Sequence, residues 1–262
     1  MSNKAIGIFD SGIGGTSIWK EITTMLPNEN TIYLADSKYA PYGKRSKNEI
    51  LSLSIKNTKK LLELQCKIIV VACNTATTNA IKELRQQFDI PFIGIEPAIK
   101  PAALQTKTKR VGVLATKGTL TSKLFAKTSD LYAHNIEVIE VVGTGLVELI
   151  EEGKIHTPEM HALLTSYLQP MIEKDIDYLV LGCTHYPYLI PILRKILPNH
   201  IVIIDSGEAV ARQTKSILLK NSLLSKNTQK GEHRFFTNGT LSVLEDILFN
   251  HKISTTASYL EF

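Results

Sequence analysis

The chain has 262 residues, 44% hydrophobic and 21% charged, with a formal net charge of +5. That length buries one large core or two compact ones, in a composition ordinary for soluble globular proteins. Basic residues are scattered, with pairs such as Lys59–Lys60 and Lys109–Arg110 but no long run; nucleic acid is excluded as an expected partner, and the charge supports at most a mild attraction for small anions.

The first apolar stretch, Ile6–Phe9, is stopped by Asp10 and is too short for a signal peptide's core, and no later run approaches a membrane span. It reads as a strand, followed by the loop DSGIGGTS (Asp10 to Ser17) and a helix over Thr16–Met25. Next come a strand at Thr31–Ala35, the loop YAPYGKRS (Tyr39 to Ser46) and a helix over Lys47–Leu64. A strand at Ile68–Ala72, a helix over Asn79–Phe88 and a strand at Phe92–Ile95 complete the first half. The second half repeats the alternation: strand Val111–Ala115, helix Leu120–Asp130, strand Glu137–Val141, helix Pro158–Glu173, strand Tyr178–Leu181, helix Tyr188–Leu197 and strand Ile201–Ile204. Beyond them lie a helix over Ala209–Leu219, a polar stretch (Asn221–Glu232) and a last apolar segment, Arg234–Thr237.

Strands alternating with helices predict an α/β fold with parallel sheets, and unbroken Val/Ile/Leu runs predict strands buried on both faces. Each half places a cysteine after its third strand, Cys73 and Cys183. Each first strand is followed by a loop rich in glycine and hydroxyls, DSGIGGTS or TKGTLTS (Thr116 to Ser122). These parallels predict two similar lobes related by a pseudo-two-fold, parallel sheets flanked by helices, and an active site in the cleft between them. EPAIKPA (Glu96 to Ala102) marks one crossing and Asp205–Gly207 the other. The first lobe is then 1–97 plus 208–262 and the second 98–207, because a tail of one helix and one strand cannot bury a core alone.

DSGIGG follows a strand and opens a helix, as phosphate-binding loops do, but no Gly-Lys-Ser/Thr closes it and its glycines lack the dinucleotide-binding order. Its N–H groups around Ser11–Gly12 suit a carboxylate, while Asp10 alone suits a helix cap. The three cysteines, Cys66, Cys73 and Cys183, are too few and odd in number for a disulfide framework, which points to reducing cytoplasm. Cys66 reads as inert core. Cys73 and Cys183 precede Asn74-Thr75 and Thr184-His185, at expected helix starts that lower a thiol's pKa. His185 suits a proton partner for Cys183, or a structural histidine; no second ligand stands at metal spacing. The other six histidines (His134, His156, His161, His200, His233, His251) read as surface residues. Tyr42-Gly43 reads as a tight loop offering backbone donors. Lys44, Lys100 and Lys117 sit in loops with nothing to mark a Schiff-base lysine.

FDSGIGG, ADSKYAPYG, VVACNTAT, GIEPA and LGCTHYP, in this order and spacing, resemble the cofactor-independent glutamate racemases of bacteria, from Ile6 to about Ser206 and more loosely beyond. The resemblance implies interconversion of L- and D-glutamate by two thiols, Cys73 and Cys183, without cofactor or metal. It implies that Asp10 assists Cys73 and His185 assists Cys183, with Asp36 in support and Glu151, favoured over Glu152, as a further carboxylate. Substrate contacts fall on Asp10, Ser11, Tyr42, Gly43, Asn74, Thr75, Thr184 and His185. It further implies a cytoplasmic homodimer supplying D-glutamate for peptidoglycan, with a small-molecule substrate and neither nucleic acid nor membrane as partner. Two departures stand out: Glu148 where proline is commoner, and FFTNGT (Phe235 to Thr240) where Thr-Gly-Asp is expected, a site expected to be remote from the chemistry. The rival readings are an aspartate racemase, a binding protein without catalysis, and a Cys–His hydrolase, which leaves the second cysteine unexplained.

Overall fold

The structure, a computed structural model, describes residues 4–132, 135–250, 255 and 257–262. The chain runs β1 (Ile6–Asp10), α1 (Thr16–Met25), β2 (Thr31–Ala35), α2 (Lys47–Glu63), β3 (Ile68–Val71), α3 (Asn74–Gln87), β4 (Phe92–Gly94) and α4 (Ile99–Gln105). It continues through β5 (Arg110–Ala115), α5 (Lys117–Leu120), α6 (Lys123–Tyr132), β6 (Glu137–Val142), α7 (Leu146–Glu151), α8 (Pro158–Glu173), β7 (Tyr178–Gly182), α9 (Ile190–Ile196) and β8 (Val202–Ile204). The last elements are α10 (Gly207–Lys220), β9 (His233–Thr237), α11 (Leu241–Asn250) and β10 (Ala257–Tyr259).

Two parallel sheets result. The first has strand order β10-β9-β2-β1-β3-β4 and the second β6-β5-β7-β8. The blocks β2-β1-β3-β4 and β6-β5-β7-β8 have the same order, so the repeat expected from the cysteines is a repeat of topology. β9 pairs with β2 in parallel, returning the tail to the first sheet.

The central strands β1, β3, β5 and β7 are continuous apolar runs because both their faces are covered, whereas β6 and β8, at the edges of the second sheet, are partly exposed, contrary to expectation. Along β3, Ile68 and Val70 join the core that reaches into the second lobe, and Ile69 and Val71 pack beneath α2 and α3. All four are fully buried, each contributing roughly 1.5–3 kcal/mol. The inter-lobe core includes Ile13, Ile18 and Trp19 from one lobe with Leu146, Ile150 and Tyr186 from the other. It holds the carboxyl ends of β1, β3, β5 and β7 beside each other, where open α/β sheets bind ligands.

Several elements differ from expectation. α3 begins at Asn74, the helix start expected directly after the thiol and ahead of the periodic segment Asn79–Phe88, because Cys73 caps it: its sulfur accepts the Ala76 N–H at 3.4 Å. Its polar start is buried, with Thr77 donating to the Val71 carbonyl. The expected helix Leu120–Asp130 is two, broken where Ser122 accepts the Phe125 N–H. Lys44, Lys100 and Lys117 lie in a 3-10 turn, α4 and α5 rather than loops. His233 is half-buried, edge-on to Trp19; His156, His161 and His200 are exposed, and His134 and His251 lie outside the described residues.

Candidate active site

One narrow cleft between the lobes is lined by Ser11, Pro41, Tyr42, Gly43, Cys73, Asn74, Thr75, Thr116, Val147, Cys183, Thr184 and His185. Cys73 arrives on the end of β3 and Cys183 on the end of β7, the matched positions of the two sheets. Wider grooves exist, but a large one along α3 and α6 is lined by no cysteine and no histidine. Among the described residues no group of His, Cys, Asp or Glu has the arrangement to hold a metal ion.

Asp10 ends β1 wholly buried. Its Oδ2 accepts the N–H groups of Gly12 (3.2 Å) and Gly15 (3.0 Å), and its Oδ1 accepts the Thr184 hydroxyl from the other lobe (3.2 Å). Burial pushes its carboxyl up to about 6 against the opposing pull of His185 and the Gly15 N–H. The glycine loop thus serves the chain's own acids instead of leaving its donors open: Ile13 N–H also donates to Glu151 Oε1 at 2.7 Å.

Glu151 closes α7 and bridges the lobes. Its Oε1 meets His185 Nε2 at 2.5 Å, and its Oε2 accepts the Ser37 hydroxyl at 2.8 Å. Glu152 is exposed and pairs with Lys154, so of the two it is Glu151 that reaches His185. The other face of the imidazole, Nδ1, lies 3.7 Å from Cys183 Sγ. Burial opposes a charge on His185, but its contacts with Cys183 and Glu151 outweigh that and raise its pKa well above 6.5. An imidazolium here donates to sulfur on one side and carboxylate on the other. The loop's glycines permit this closeness: a Cβ at Gly14 would stand 2.2 Å from His185 Nδ1, and one at Gly12 1.9 Å from Glu151 Oε1.

The expected lowering of the Cys73 thiol by its helix start does not prevail. Burial raises its pKa strongly and the Asp10 charge adds to the rise, while the Ala76 N–H and the Ser11 hydroxyl, 3.6 Å away, oppose it. For Cys183 no α-helix begins directly after the thiol; a 3-10 turn, Tyr186–Leu189, follows, and the His185 imidazole lies beside the sulfur instead.

Asn74 presents a buried amide whose nitrogen and oxygen both have no partner among the described residues. Thr75, Thr116 and Thr119 link hydroxyls across the lobes, with Thr75 to Thr116 at 2.8 Å. Thr116, Pro41 and Val147 line the cleft without having been singled out. Thr116 was legible as the counterpart of Asp10, first in the second lobe's loop. Asp36 stands behind the cleft, accepting the Tyr42 hydroxyl. Asn238, in the motif expected to be remote, donates to Asp36 Oδ1 at 2.5 Å and so reaches the site's support.

Residues 11–214 match the family described as Asp/Glu/Hydantoin racemase. A glutamate racemase of Ectopseudomonas mendocina is 42% identical over 95% of this chain and 94% of its own, and one of Pseudomonas aeruginosa 43% identical with the same coverage. Among solved structures, glutamate racemase RacE1 of Bacillus anthracis aligns with a TM-score of 0.88 at 32% identity, covering 100% of this chain and 99% of its own. The Francisella tularensis glutamate racemase, solved with D-glutamate, aligns at 0.84 and 31% identity over 100% and 98% of the two chains. With its two matched sheets, its paired thiols and these relatives, the chain belongs to the Asp/Glu/hydantoin racemase family, among the glutamate racemases.

Proposed function

We propose that this chain interconverts L- and D-glutamate by moving the α-proton between two thiols, Cys73 and Cys183. The observation that carries the reading is the entry of both thiols into one cleft from equivalent positions of two lobes. Inverting a stereocentre by proton transfer needs a base on each face, since a single base tends to return the proton to the side it left. The thiolate on one face takes the α-proton, leaving a carbanion delocalised into the carboxylate. The thiol on the other face then gives its proton to the same carbon. No atoms are gained or lost, and the two thiols end with protonation states exchanged, ready for the reverse reaction.

The surrounding groups support these roles. His185, its pKa raised by its contacts with Cys183 and Glu151, stands beside Cys183 as a proton partner, and the Asp10 carboxyl, raised to about 6 and electrostatically felt by Cys73, suits a proton partner on the other side. The unpartnered Asn74 amide, the Thr75 and Thr184 hydroxyls and the Gly43 main chain suit an amino acid's ammonium and carboxylates. In this reading the enzyme works in the cytoplasm as a homodimer, needs no cofactor, and feeds D-glutamate to peptidoglycan synthesis.

The test is loss of optical activity from L-glutamate, with L-aspartate in parallel and no cofactor added. Glutamate alone should racemise, and Cys73→Ala and Cys183→Ala should each abolish the reaction. Racemisation of aspartate in its place would move the chain to the sister activity. Near-native rates in either cysteine variant would end the two-thiol mechanism.

A further inference from the structure

Asp36 is fully buried at the end of β2, yet it does not line the cleft. All the contacts to its carboxylate are donors. Oδ2 accepts the Tyr42 hydroxyl and the Asn57 amide (3.2 Å); Oδ1 accepts Lys56 Nζ (2.8 Å) and the Asn238 amide (2.5 Å). A buried carboxylate stays ionised only when it is paired and hydrogen-bonded, and here Lys56 supplies the cation. Lys56 is itself held in place, its ammonium 4.3 Å from the centre of the Tyr39 ring and 5.2 Å from that of Phe262. Asn238 is fixed at its other end by the Lys38 N–H, 3.1 Å from its Oδ1.

This set of donors matters for the cleft. A carboxylate can only accept, so the Tyr42 hydroxyl must donate to it, which sets the phenol and the backbone turn that carries it. That turn, Tyr42–Lys44, brings Gly43 to the cleft, where it packs on Thr116 so closely that a Cβ would stand 2.8 Å from the threonine's own.

We propose that Lys56 and Asn238 are positioning residues for substrate binding, holding in place the Asp36 carboxylate that anchors the Tyr42–Gly43 wall of the cleft. Neither residue touches the cleft, and neither would have been chosen from the sequence. The assignment also accounts for why the tail returns to the first sheet: β9 delivers Asn238 to the back of the site. It rests on the reading that glutamate is racemised there.

The experiment is steady-state racemisation of glutamate by the wild type, Lys56→Met, Asp36→Asn and the double variant, with thermal unfolding as a check on folding. Lys56→Met should raise KM about tenfold, the scale of one charge-assisted hydrogen bond, and leave kcat within about twofold. In the Asp36→Asn background the same substitution should change nothing further, because the charge it serves is gone. Unchanged kinetics in Lys56→Met overturns the proposal, as does a fall in kcat at constant KM, or effects of the two substitutions that simply multiply. Should Lys56→Met not fold, Asn238→Ala carries the same expectations. If the wild type leaves glutamate untouched, the functional reading fails first and the inference falls with it; an active wild type with an indifferent Lys56 sinks the inference alone.

Discussion

Asp10→Asn should make the protein more stable at neutral pH and much less active. The carboxyl's rise from 3.8 to about 6 means that the folded protein binds the proton more tightly than the unfolded chain does. The cost of ionising it in the fold therefore accrues as pH climbs from about 4 to about 6 and is constant above that, at about 3 kcal/mol for 1.36 kcal/mol per pH unit. Asparagine escapes this cost while keeping the contacts. Its carbonyl can accept from Gly12 and Gly15, and its amide can donate to a Thr184 hydroxyl turned to accept. Denaturant unfolding of both proteins from pH 4 to pH 8 isolates the residue, since all other groups titrate in both. The variant should gain up to about 3 kcal/mol over the wild type between pH 4 and pH 6, then hold a constant lead. Its racemisation should fall roughly 10²–10⁴-fold, the range for a positioned acid–base group. A stability difference independent of pH would refute the argument, because it would mean that Asp10 does not change its ionisation on folding.

Gly14→Ala would drive a methyl group into the His185 ring, which Cys183 and Glu151 hold from both sides. Activity should drop about 100-fold, the cost of displacing a reacting group by about an ångström, while circular dichroism remains native. Lys67→Met strips the cation from Glu29, a pair in which each side chain is 2% exposed. Unfolding free energy should fall by about 3–5 kcal/mol, and Lys67→Met combined with Glu29→Leu should recover much of it.

The strands were legible because each is a short, mostly apolar run between turn signals; Thr31–Ala35 agrees to the residue and the others of both halves to within one, although β6 and β8 are not buried on both faces as expected. Helices with clear caps or prolines at their start were equally legible, as at Pro158–Glu173. The sequence was opaque where tertiary contacts override local preference. Asn74 to Thr78 carries poor helix formers, yet the Cys73 sulfur and the buried threonine contacts start α3 there. α4 starts between two prolines, Pro97 and Pro101, and carries the second inside it, and α7 is only six residues long, so neither shows a period. The paired thiols, Asp10 and His185 could be named from motifs; the thiols and His185 line the cleft, and Asp10 lies buried beside it, bonded to Thr184. Their electrostatics could not: helix position argued for a lowered Cys73 thiol, but burial reverses the sign. The same limit hid Lys56 and Asn238, which matter only through Asp36.

The central claim is that two different groups serve the two faces of the α-carbon. L-glutamate incubated with the enzyme in D₂O, with both enantiomers separated and their α-positions examined by NMR at early times, tests it directly. The account predicts deuterium in the newly formed D-glutamate while the remaining L-glutamate keeps its proton, with the mirror result from D-glutamate. Deuterium appearing in the remaining L-glutamate as fast as in the product would show one base serving both faces and would contradict the account.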